Sequence, residues 1–328
     1  METVRAITAH TCAVPFIFRA GVWKPRTSPH TFQGVGAPAL EWLKEVRDTY
    51  GMEIATEVAT PEHVEAALRA GVDYLWIGAR TSANPLAVQE IANAIDRFAV
   101  RPATPVGPLR CKTGDRSPVG ILIKNPVNQD ADLWLGNIER LERTGVPVAA
   151  VHRGCGHQPC WGMAHKVRLA RPDIPMLLDP SHMSGDAKKV PALMGKVAEL
   201  GLDGAMIEVH CKPSEALSDA KQQISPEAMS AALNDEMSAT KSLNDIELNW
   251  LRAEIDELDE RLWDTIAARM DVSKRIGEWK KEHGVAPLQP ERYQAIVERL
   301  RVIGYGLSEE FMLRIWDIIH EESLKQQE

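Results

Sequence analysis

Residues 52–85 read MEIATEVATPEHVEAALRAGVDYLWIGARTSANP, and this stretch carries the pattern that indicates the fold class. It contains two apolar runs of strand length, MEIATEV and YLWIGAR, which are too short to be typical helices. Between them, residues 61–70 have the amphipathic pattern of a helix. A strand, a helix and a second strand in succession predict two parallel neighbours in one sheet.

The same unit repeats outward in both directions, up to about residue 235. The other strand-like runs are PFIFRAG, GILIKNP, PVAAVHRG, PMLLDPSH and GAMIEVH, and TVRAITAHT offers a possible eighth. We therefore predict an α/β fold, a TIM-type (β/α)8 barrel of parallel strands.

Nearly every run ends in a polar residue. These residues are Arg19, Glu57, Arg80, Lys124, Arg153, His182 and Glu208. The carboxyl ends of barrel strands form the active-site face, so these side chains should converge at one mouth. Six cations would lie there: Arg19, Lys24, Arg26, Arg80, Lys124 and Arg153. They would repel one another unless the ligands are anionic. Since no Gly-rich nucleotide loop is present, small sugar or acid phosphates are favoured over ATP.

Three residues have the chemistry of metal ligands: His182, Glu208 and Asp219. One imidazole and two carboxylates suit a divalent ion such as Mn²⁺, Fe²⁺, Co²⁺ or Zn²⁺. Spacing alone leaves the alternative open that each is an ordinary buried polar residue.

The pattern changes at residues 234–245, NDEMSATKSLND, which we interpret as a linker between domains at residues 1–233 and 246–328. Beyond it, apolar residues recur at spacings of three and four from Leu251 to Met270, and the pattern continues to Gly284. Counted from the end of the linker, this predicts a helix of roughly 40 residues, or about 60 Å at about 1.5 Å per residue, which a helical dimer would cover. Two shorter helices are predicted near residues 290–303 and 308–327.

Composition excludes several classes. The net charge of −8 argues against a general nucleic-acid binder, and no apolar run is long enough to span a membrane. Five irregularly spaced cysteines and an N-terminus without a secretory pattern favour a reducing cytoplasm.

The first domain resembles the type I-beta 3-deoxy-arabino-heptulosonate 7-phosphate synthases from about residue 16 to 233. The likeness rests on KPRT at 24–27, the stretch at 56–85, IKNPVN at 123–128, HRG at 152–154, DPSH at 179–182 and ALSDAKQQ at 216–223. A sister family that makes an octulosonate phosphate tends to carry KANRS, so KPRT favours erythrose 4-phosphate as the aldehyde.

The resemblance implies a role for each matching residue. Phosphoenolpyruvate would be held by Arg19, Lys24, Arg80, Lys124 and Arg153, and erythrose 4-phosphate by Lys24, Pro25, Arg26 and Thr27. Lys124 and His182 would be catalytic, and a metal would be bound by His182, Glu208, Asp219 and a cysteine.

The start of the chain departs from that family, in which the cysteine follows the first strand and a helix precedes the FRAG strand. Here TVRAITAHTCA runs almost directly into VPFIFRAG, and a parallel crossover needs about a dozen residues. Either the first βα unit is incomplete, or the segment before Val14 has another role. Cys12 is either the fourth metal ligand or a buried thiol.

The second domain resembles the all-helical chorismate mutases, through residues 251–280, QPER at 289–292 and IIHEESLKQQ at 318–327. Rearrangement of the chorismate dianion needs cations and hydrogen-bond donors rather than a nucleophile. The resemblance assigns these roles to Arg252, Arg269, Lys280, Arg292, Ser323 and Gln327, with Arg252 supplied by a dimer partner. Gln289 and Tyr293 depart from the Asp and Glu of some members.

These patterns predict a bifunctional enzyme that uses phosphoenolpyruvate, erythrose 4-phosphate and chorismate, with prephenate as a feedback effector. One alternative is a working mutase that carries an impaired or regulatory synthase-like barrel. Another is a helical module that only senses chorismate or prephenate.

Overall fold

A computed structural model describes residues 1–10, 16–26, 28, 30–98, 120–237, 245–303 and 305–327. The chain forms two compact units, Met1–Glu254 and Ile255–Glu328. The predicted ligand Cys12 and the predicted substrate residue Thr27 lie outside the described residues.

The first unit contains a parallel sheet of seven strands in sequence order. The strands are β1 (Phe18–Ala20), β2 (Ile54–Val58), β3 (Tyr74–Ile77), β4 (Gly120–Lys124), β5 (Val148–His152), β6 (Met176–Leu178) and β7 (Gly204–Ala205). Each falls within one of the seven predicted runs, which confirms the α/β class and the parallel arrangement.

Helices connect these strands. They are α1 (Glu2–His10), α2 (Ala39–Tyr50), α3 (Pro61–Arg69), α4 (Ala79–Ser82), α5 (Pro85–Phe98), α6 (Ala131–Glu142), α7 (Trp161–Ala170), α8 (Pro180–Ser184), α9 (Val190–Glu199) and α10 (Pro226–Met237). Three short 3₁₀ segments lie at Ala187–Lys189, Pro213–Glu215 and Ala220–Gln222.

The sheet curls so that its two edges share one core. Ile7 of α1 and Met229 of α10 are buried in a cluster against which Phe18 of β1 and Ala205 of β7 pack. β1 and β7 are the edge strands, so apolar side chains rather than strand pairing join the edges among the described residues.

The possible eighth strand at residues 3–11 is not formed, because Glu2–His10 is the helix α1. Val4 and Ile7, one helical turn apart, are its buried residues, and the Thr8 hydroxyl donates to the Val4 carbonyl at 3.0 Å. The helix α1 ends at His10, before Cys12, and β1 begins at Phe18, so the described residues agree with the alternative of an incomplete first βα unit, which has a helix where a strand was possible.

The long helix α11 (Ile246–His283) begins inside the first unit. Trp250 is 1% exposed and its indole N–H donates to the Leu200 carbonyl at 3.0 Å. The His165 ring stacks on Trp250 at 5.3 Å between centroids, and the Asn249 amide donates to the Glu199 carbonyl. The start of α11 therefore packs on the first unit, with Trp250 and Ala253 in its core.

The second unit consists of the remainder of α11, α12 (Pro290–Ile303) and α13 (Glu309–Lys325), as the apolar spacing predicts. Ser308 caps α13 by accepting from the Phe311 N–H. Several large apolar side chains of α11 are exposed: Ile255, Leu258, Leu262 and Trp263. No helix within the described ranges is long and apolar enough to cross a membrane.

Candidate active sites

A pocket lies at the carboxyl ends of the strands in the first unit. All six predicted cations line it, together with Pro25, His182, Glu208 and Asp219. The lining contains six Lys or Arg residues and three carboxyl groups (Glu57, Glu208 and Asp219), an excess of three positive charges. An anionic ligand would offset this excess.

Asp219 joins the two cations of the KPRT segment. Its carboxylate accepts a bidentate pair from Arg26, with both N···O distances 3.0 Å, and an ion pair from the Lys24 ammonium, also at 3.0 Å. Burial alone would raise the pKa of Asp219, but the bonds from Arg26 and Lys24 hold that pKa well below its ordinary value. Asp219 therefore stays ionised and holds Lys24 and Arg26 beside each other.

Asp179 organises a second group at the floor of the pocket. Its side chain is fully buried, and it lies 2.6 Å from the Lys124 ammonium and 3.0 Å from His182 Nδ1. It also caps α8, because its Oδ1 accepts from the His182 N–H. Burial opposes ionisation, but His182 and Lys124 keep the pKa of Asp179 well below its usual range.

Glu208 faces His182 and Arg19. His182 Nε2 lies 3.8 Å from a Glu208 oxygen, and the Arg19 guanidinium lies 3.5 Å from the same oxygen. The Gln222 amide donates to the other oxygen at 2.8 Å. Burial would raise the pKa of Glu208, but His182 and Arg19 lower it overall. Arg19 also lies 5.3 Å from the Trp76 ring centre, so its orientation is fixed from two sides.

Glu57 is the carboxyl group of the pocket that the predicted site set leaves out. It is the penultimate residue of β2, and burial raises its pKa even though Lys124 and Lys24 act in the opposite direction. A Cβ at Gly78 would lie 2.1 Å from a Glu57 oxygen, so any larger residue there would displace the carboxyl group from this position. The position of Glu57 near a strand end was the sequence signal that could have identified it as a site residue. Its raised pKa could not be predicted, because it depends on contacts between strands.

Arg153 is aligned through its backbone. Its N–H donates to the Asn125 side-chain oxygen at 2.7 Å, and the Asn125 amide donates to the Gly154 carbonyl at 3.0 Å. Asn125 is fully buried, so this pair fixes how the chain leaves β5. Burial lowers the pKa of Arg153, and an anionic ligand would compensate for that loss of hydration.

The predicted metal ligands do not form a metal site among the described side chains. His182 and Glu208 approach each other, but Asp219 is engaged by Lys24 and Arg26. No group of three or more His, Cys, Asp or Glu residues within the described ranges could hold a metal ion. These donors in their present arrangement do not fit a divalent ion.

The second unit brings four of its predicted residues together in two pairs, each joining α11 to α13 or to the residues just after it. Arg269 donates to the Ser323 hydroxyl, and the Lys280 ammonium donates to the Gln327 side-chain oxygen at 2.9 Å. Lys280 and Ser323 are 9% and 3% exposed, and burial lowers the pKa of Arg269. A Cβ at Gly277 would lie 2.5 Å from the Gln327 Cα, so glycine permits this approach.

The other predicted residues lie elsewhere. Arg292 is exposed on α12, and Arg252 is exposed in the part of α11 that belongs to the first unit. Gln289 immediately precedes α12. The Tyr293 hydroxyl donates to Asp317 on α13, and its ring lies 5.0 Å from that of His320.

The fold and first pocket define a class of protein: an α/β barrel-type domain with a polycationic site at its strand ends, followed by a helical module. The DAHP synthetase I family model matches residues 1–98 and 122–243, and the chorismate mutase type II model matches residues 251–328. The chain therefore belongs to the DAHP synthetase I family and carries a chorismate mutase type II domain at residues 251–328.

Individual proteins agree with this assignment. The phospho-2-dehydro-3-deoxyheptonate aldolase of Thermotoga maritima is 28% identical over 217 residues, which cover 63% of this chain and 56% of that relative. A crystal structure of that aldolase aligns with a TM-score of 0.58 at 24% identity, over 76% of this chain and 65% of that one, and supports the fold. The 4-amino-4-deoxychorismate mutase of Streptomyces venezuelae is 40% identical over 78 residues, which cover 23% of this chain and 76% of that relative.

Proposed function

We propose that the chain is a bifunctional enzyme of aromatic biosynthesis. The domain at residues 1–233 would condense phosphoenolpyruvate with erythrose 4-phosphate, and the domain at 246–328, after a linker at 234–245, would convert chorismate to prephenate. The excess of three positive charges in the pocket lining is the observation that carries the first activity, since both substrates are phosphorylated anions. We place the enzyme in the cytoplasm, where such substrates would be made.

The residues of the first pocket divide between the two substrates in this proposal. Arg19, Arg80, Lys124 and Arg153 hold the phosphate and carboxylate of phosphoenolpyruvate, with Lys24 shared. Lys24, Pro25, Arg26 and Thr27 receive the aldose phosphate. Binding of both anions aligns the methylene carbon of phosphoenolpyruvate with the aldehyde carbon, where the new bond forms.

The reaction also needs water and proton transfers. The product retains the oxygen of a water molecule at the former enol carbon, and inorganic phosphate leaves. Glu57, whose pKa burial raises, is the carboxyl group in the pocket best suited to take a proton from that water. Lys124, held by Asp179 at 2.6 Å, is placed to donate a hydrogen bond to developing negative charge.

The proposal includes a divalent metal, because the DAHP synthase family in general depends on one. Mn²⁺, Fe²⁺, Co²⁺ or Zn²⁺ bound by His182, Glu208, Asp219 and Cys12 would require Asp219 to leave its ion pairs with Lys24 and Arg26. The steps above use no metal because the described donors do not fit one. Consumption of phosphoenolpyruvate with erythrose 4-phosphate, measured with and without Mn²⁺, tests this dependence.

The same assay tests the synthase activity against the impaired-scaffold alternative. The wild-type chain should consume phosphoenolpyruvate only when erythrose 4-phosphate is present, and His182→Ala should abolish this. An inactive wild-type barrel beside an active mutase would instead support the scaffold alternative.

In the helical module, Arg269, Lys280 and Arg292 would bind the chorismate carboxylates, and Lys280 with Gln327 would reach the ether oxygen. Ser323 lies beside them, and a partner chain would supply Arg252. The exposed apolar residues of α11 support a homodimer through this module. Prephenate formation that is lost in Lys280→Ala would rule out a module that only senses its ligand, and light scattering tests the dimer.

Regulation follows from the fusion as a further part of the proposal. Prephenate bound in the helical module would restrain the barrel. Synthase kinetics that stay unchanged at saturating prephenate would contradict this effect.

A second substrate is favoured by one observation. The Tyr293 hydroxyl donates to one oxygen of Asp317, an exposed carboxylate on α13. Tyr293 stands at a position where some mutases carry an acid, so Asp317 supplies a carboxylate close to that position. A carboxylate suits an ammonium substituent, and the Streptomyces venezuelae relative is a 4-amino-4-deoxychorismate mutase. Comparing kcat/KM for chorismate and 4-amino-4-deoxychorismate, in the wild type and in Asp317→Asn, tests this candidate.

A further inference from the structure

The segment that carries Lys24 and Arg26 is fixed along one side by its own loop. The Lys24 N–H donates to the Gln33 carbonyl at 2.8 Å, and the Gly36 N–H donates to the Val22 carbonyl at 3.0 Å. A Cβ at Gly34 would lie 2.2 Å from the Val22 carbonyl oxygen, so the two sides of this loop approach too closely for any larger residue at position 34. Asp219 holds the tips of the Lys24 and Arg26 side chains.

The other side of this segment is fixed by a ring stack. Trp23, between the pocket residue Lys24 and the buried Val22, lies flat against His63 of α3, with ring centroids 4.1 Å apart and planes inclined by 8°. Neither ring belongs to the lining of the pocket. The stack therefore acts on the backbone that presents Lys24, and not on a ligand.

His63 is itself held in place by two hydrogen bonds, one to its ring and one from its backbone N–H. The Ala59 N–H donates to His63 Nδ1 at 3.3 Å, and the His63 N–H donates to the Thr60 hydroxyl oxygen at 3.3 Å. Burial lowers the pKa of His63, which favours the neutral ring whose Nδ1 can accept. Ala59 follows Glu57 by two residues, so the stack links the strand end that carries Glu57 to the segment that carries Lys24.

We propose that His63 is a positioning residue for the aldose phosphate, which acts by stacking on Trp23 and so aligning the backbone of Lys24 and Arg26. The inference rests on the proposed synthase function. It predicts that loss of the stack weakens binding of the aldose phosphate more than binding of phosphoenolpyruvate. Arg26 serves the aldose phosphate alone, and although Lys24 is shared, Arg80, Lys124 and Arg153 are carried by other strand ends and the segments that follow them.

Steady-state kinetics of the full chain test this split. In His63→Ala we expect the KM for erythrose 4-phosphate to rise about 3- to 10-fold, the size expected for an aromatic stack, equivalent to about 0.7 to 1.4 kcal/mol. The KM for phosphoenolpyruvate and kcat should change by less than about 2-fold, well below the factor expected for the stack. His63→Phe, which keeps a flat ring, should restore the KM, whereas His63→Gln, which keeps only an acceptor, should not.

The coupling between the two rings gives a second comparison. Trp23→Ala combined with His63→Ala should be no worse than the more impaired single variant, since both remove one interaction. Trp42→Ala, at a tryptophan that is 56% exposed, is the control for loss of an indole and should leave both KM values unchanged. Equal rises in both KM values, failure of His63→Phe to rescue, or additive effects would overturn the proposal.

Hydrogen exchange separates this inference from the proposed function. The amides of Lys24 and Gly36 should exchange faster in His63→Ala than in the wild type, and His63→Phe should restore their protection, whether or not the barrel turns over. Unchanged exchange at both amides would overturn the positioning role. Absence of synthase turnover in the wild type, with faster exchange in the variant, would reject only the proposed function.

Discussion

Asp179→Asn should destabilise the first unit strongly, because it removes one charge from a buried ion pair. The Lys124 ammonium lies 2.6 Å from the Asp179 carboxylate, and the two side chains are 6% and 0% exposed. Asparagine keeps the size of the side chain and its ability to cap α8, so charge is the main change. An uncompensated buried charge costs about 3–5 kcal/mol.

Urea unfolding followed by circular dichroism measures this cost. Asp132→Asn is the matched control, because Lys166 and Asp132 lie 2.8 Å apart but their side chains are 57% and 80% exposed. That pair should contribute less than about 1 kcal/mol. The double variant Lys124→Met/Asp179→Asn should recover part of the stability, since it removes both charges. A loss of stability in Asp179→Asn no larger than that in Asp132→Asn would show that the buried pair does not carry an uncompensated charge of this cost.

Three further predictions follow from individual contacts. Gly78→Ala should displace the Glu57 carboxyl group, which lies 2.1 Å from the added Cβ, and lower synthase kcat/KM about 10- to 100-fold. Gly277→Ala should push Gln327 out of the helical site and lower the rate of prephenate formation about 10- to 100-fold. The depressed pKa of Asp219 stabilises the folded state at pH values above the ordinary carboxyl pKa near 3.8, and this stabilisation is lost as the pH falls through the lower folded pKa. The thermal unfolding temperature of Asp219→Asn should therefore depend less on pH than that of the wild type below about pH 4.

The two glycine variants share a control. Gly195→Ala places a methyl group on α9 where no atom lies within 4 Å. It should leave both activities unchanged. Equal losses of activity in all three variants would show that the effect comes from the helix or backbone and not from the displaced side chain.

The strands could be predicted because a parallel strand that is covered on both faces has a short, almost continuous apolar sequence. The run YLWI of β3, for example, is fully buried. The six cations were predictable because the carboxyl ends of such strands converge at one face. The long helix followed from apolar spacing alone.

The remaining features depend on contacts between residues distant in sequence. The sequence of residues 2–10 also allowed a strand. In the structure these residues form the helix α1, whose Ile7 packs beside α10. Asp219 has the chemistry of a metal ligand, but Arg26 and Lys24 occupy its oxygens. Trp250 falls within the helical pattern, yet it is buried against the carbonyl of Leu200 in the first unit. Local pattern carries no information about such partners.

The central claim is that the cationic pocket joins phosphoenolpyruvate to an aldose phosphate. Mass spectrometry of the products, with inorganic phosphate measured in parallel, tests this most directly. We expect one seven-carbon sugar-acid phosphate for each phosphate released, and neither product when either substrate is omitted. A chain that forms prephenate but yields no such product, with Mn²⁺ present, would contradict the claim.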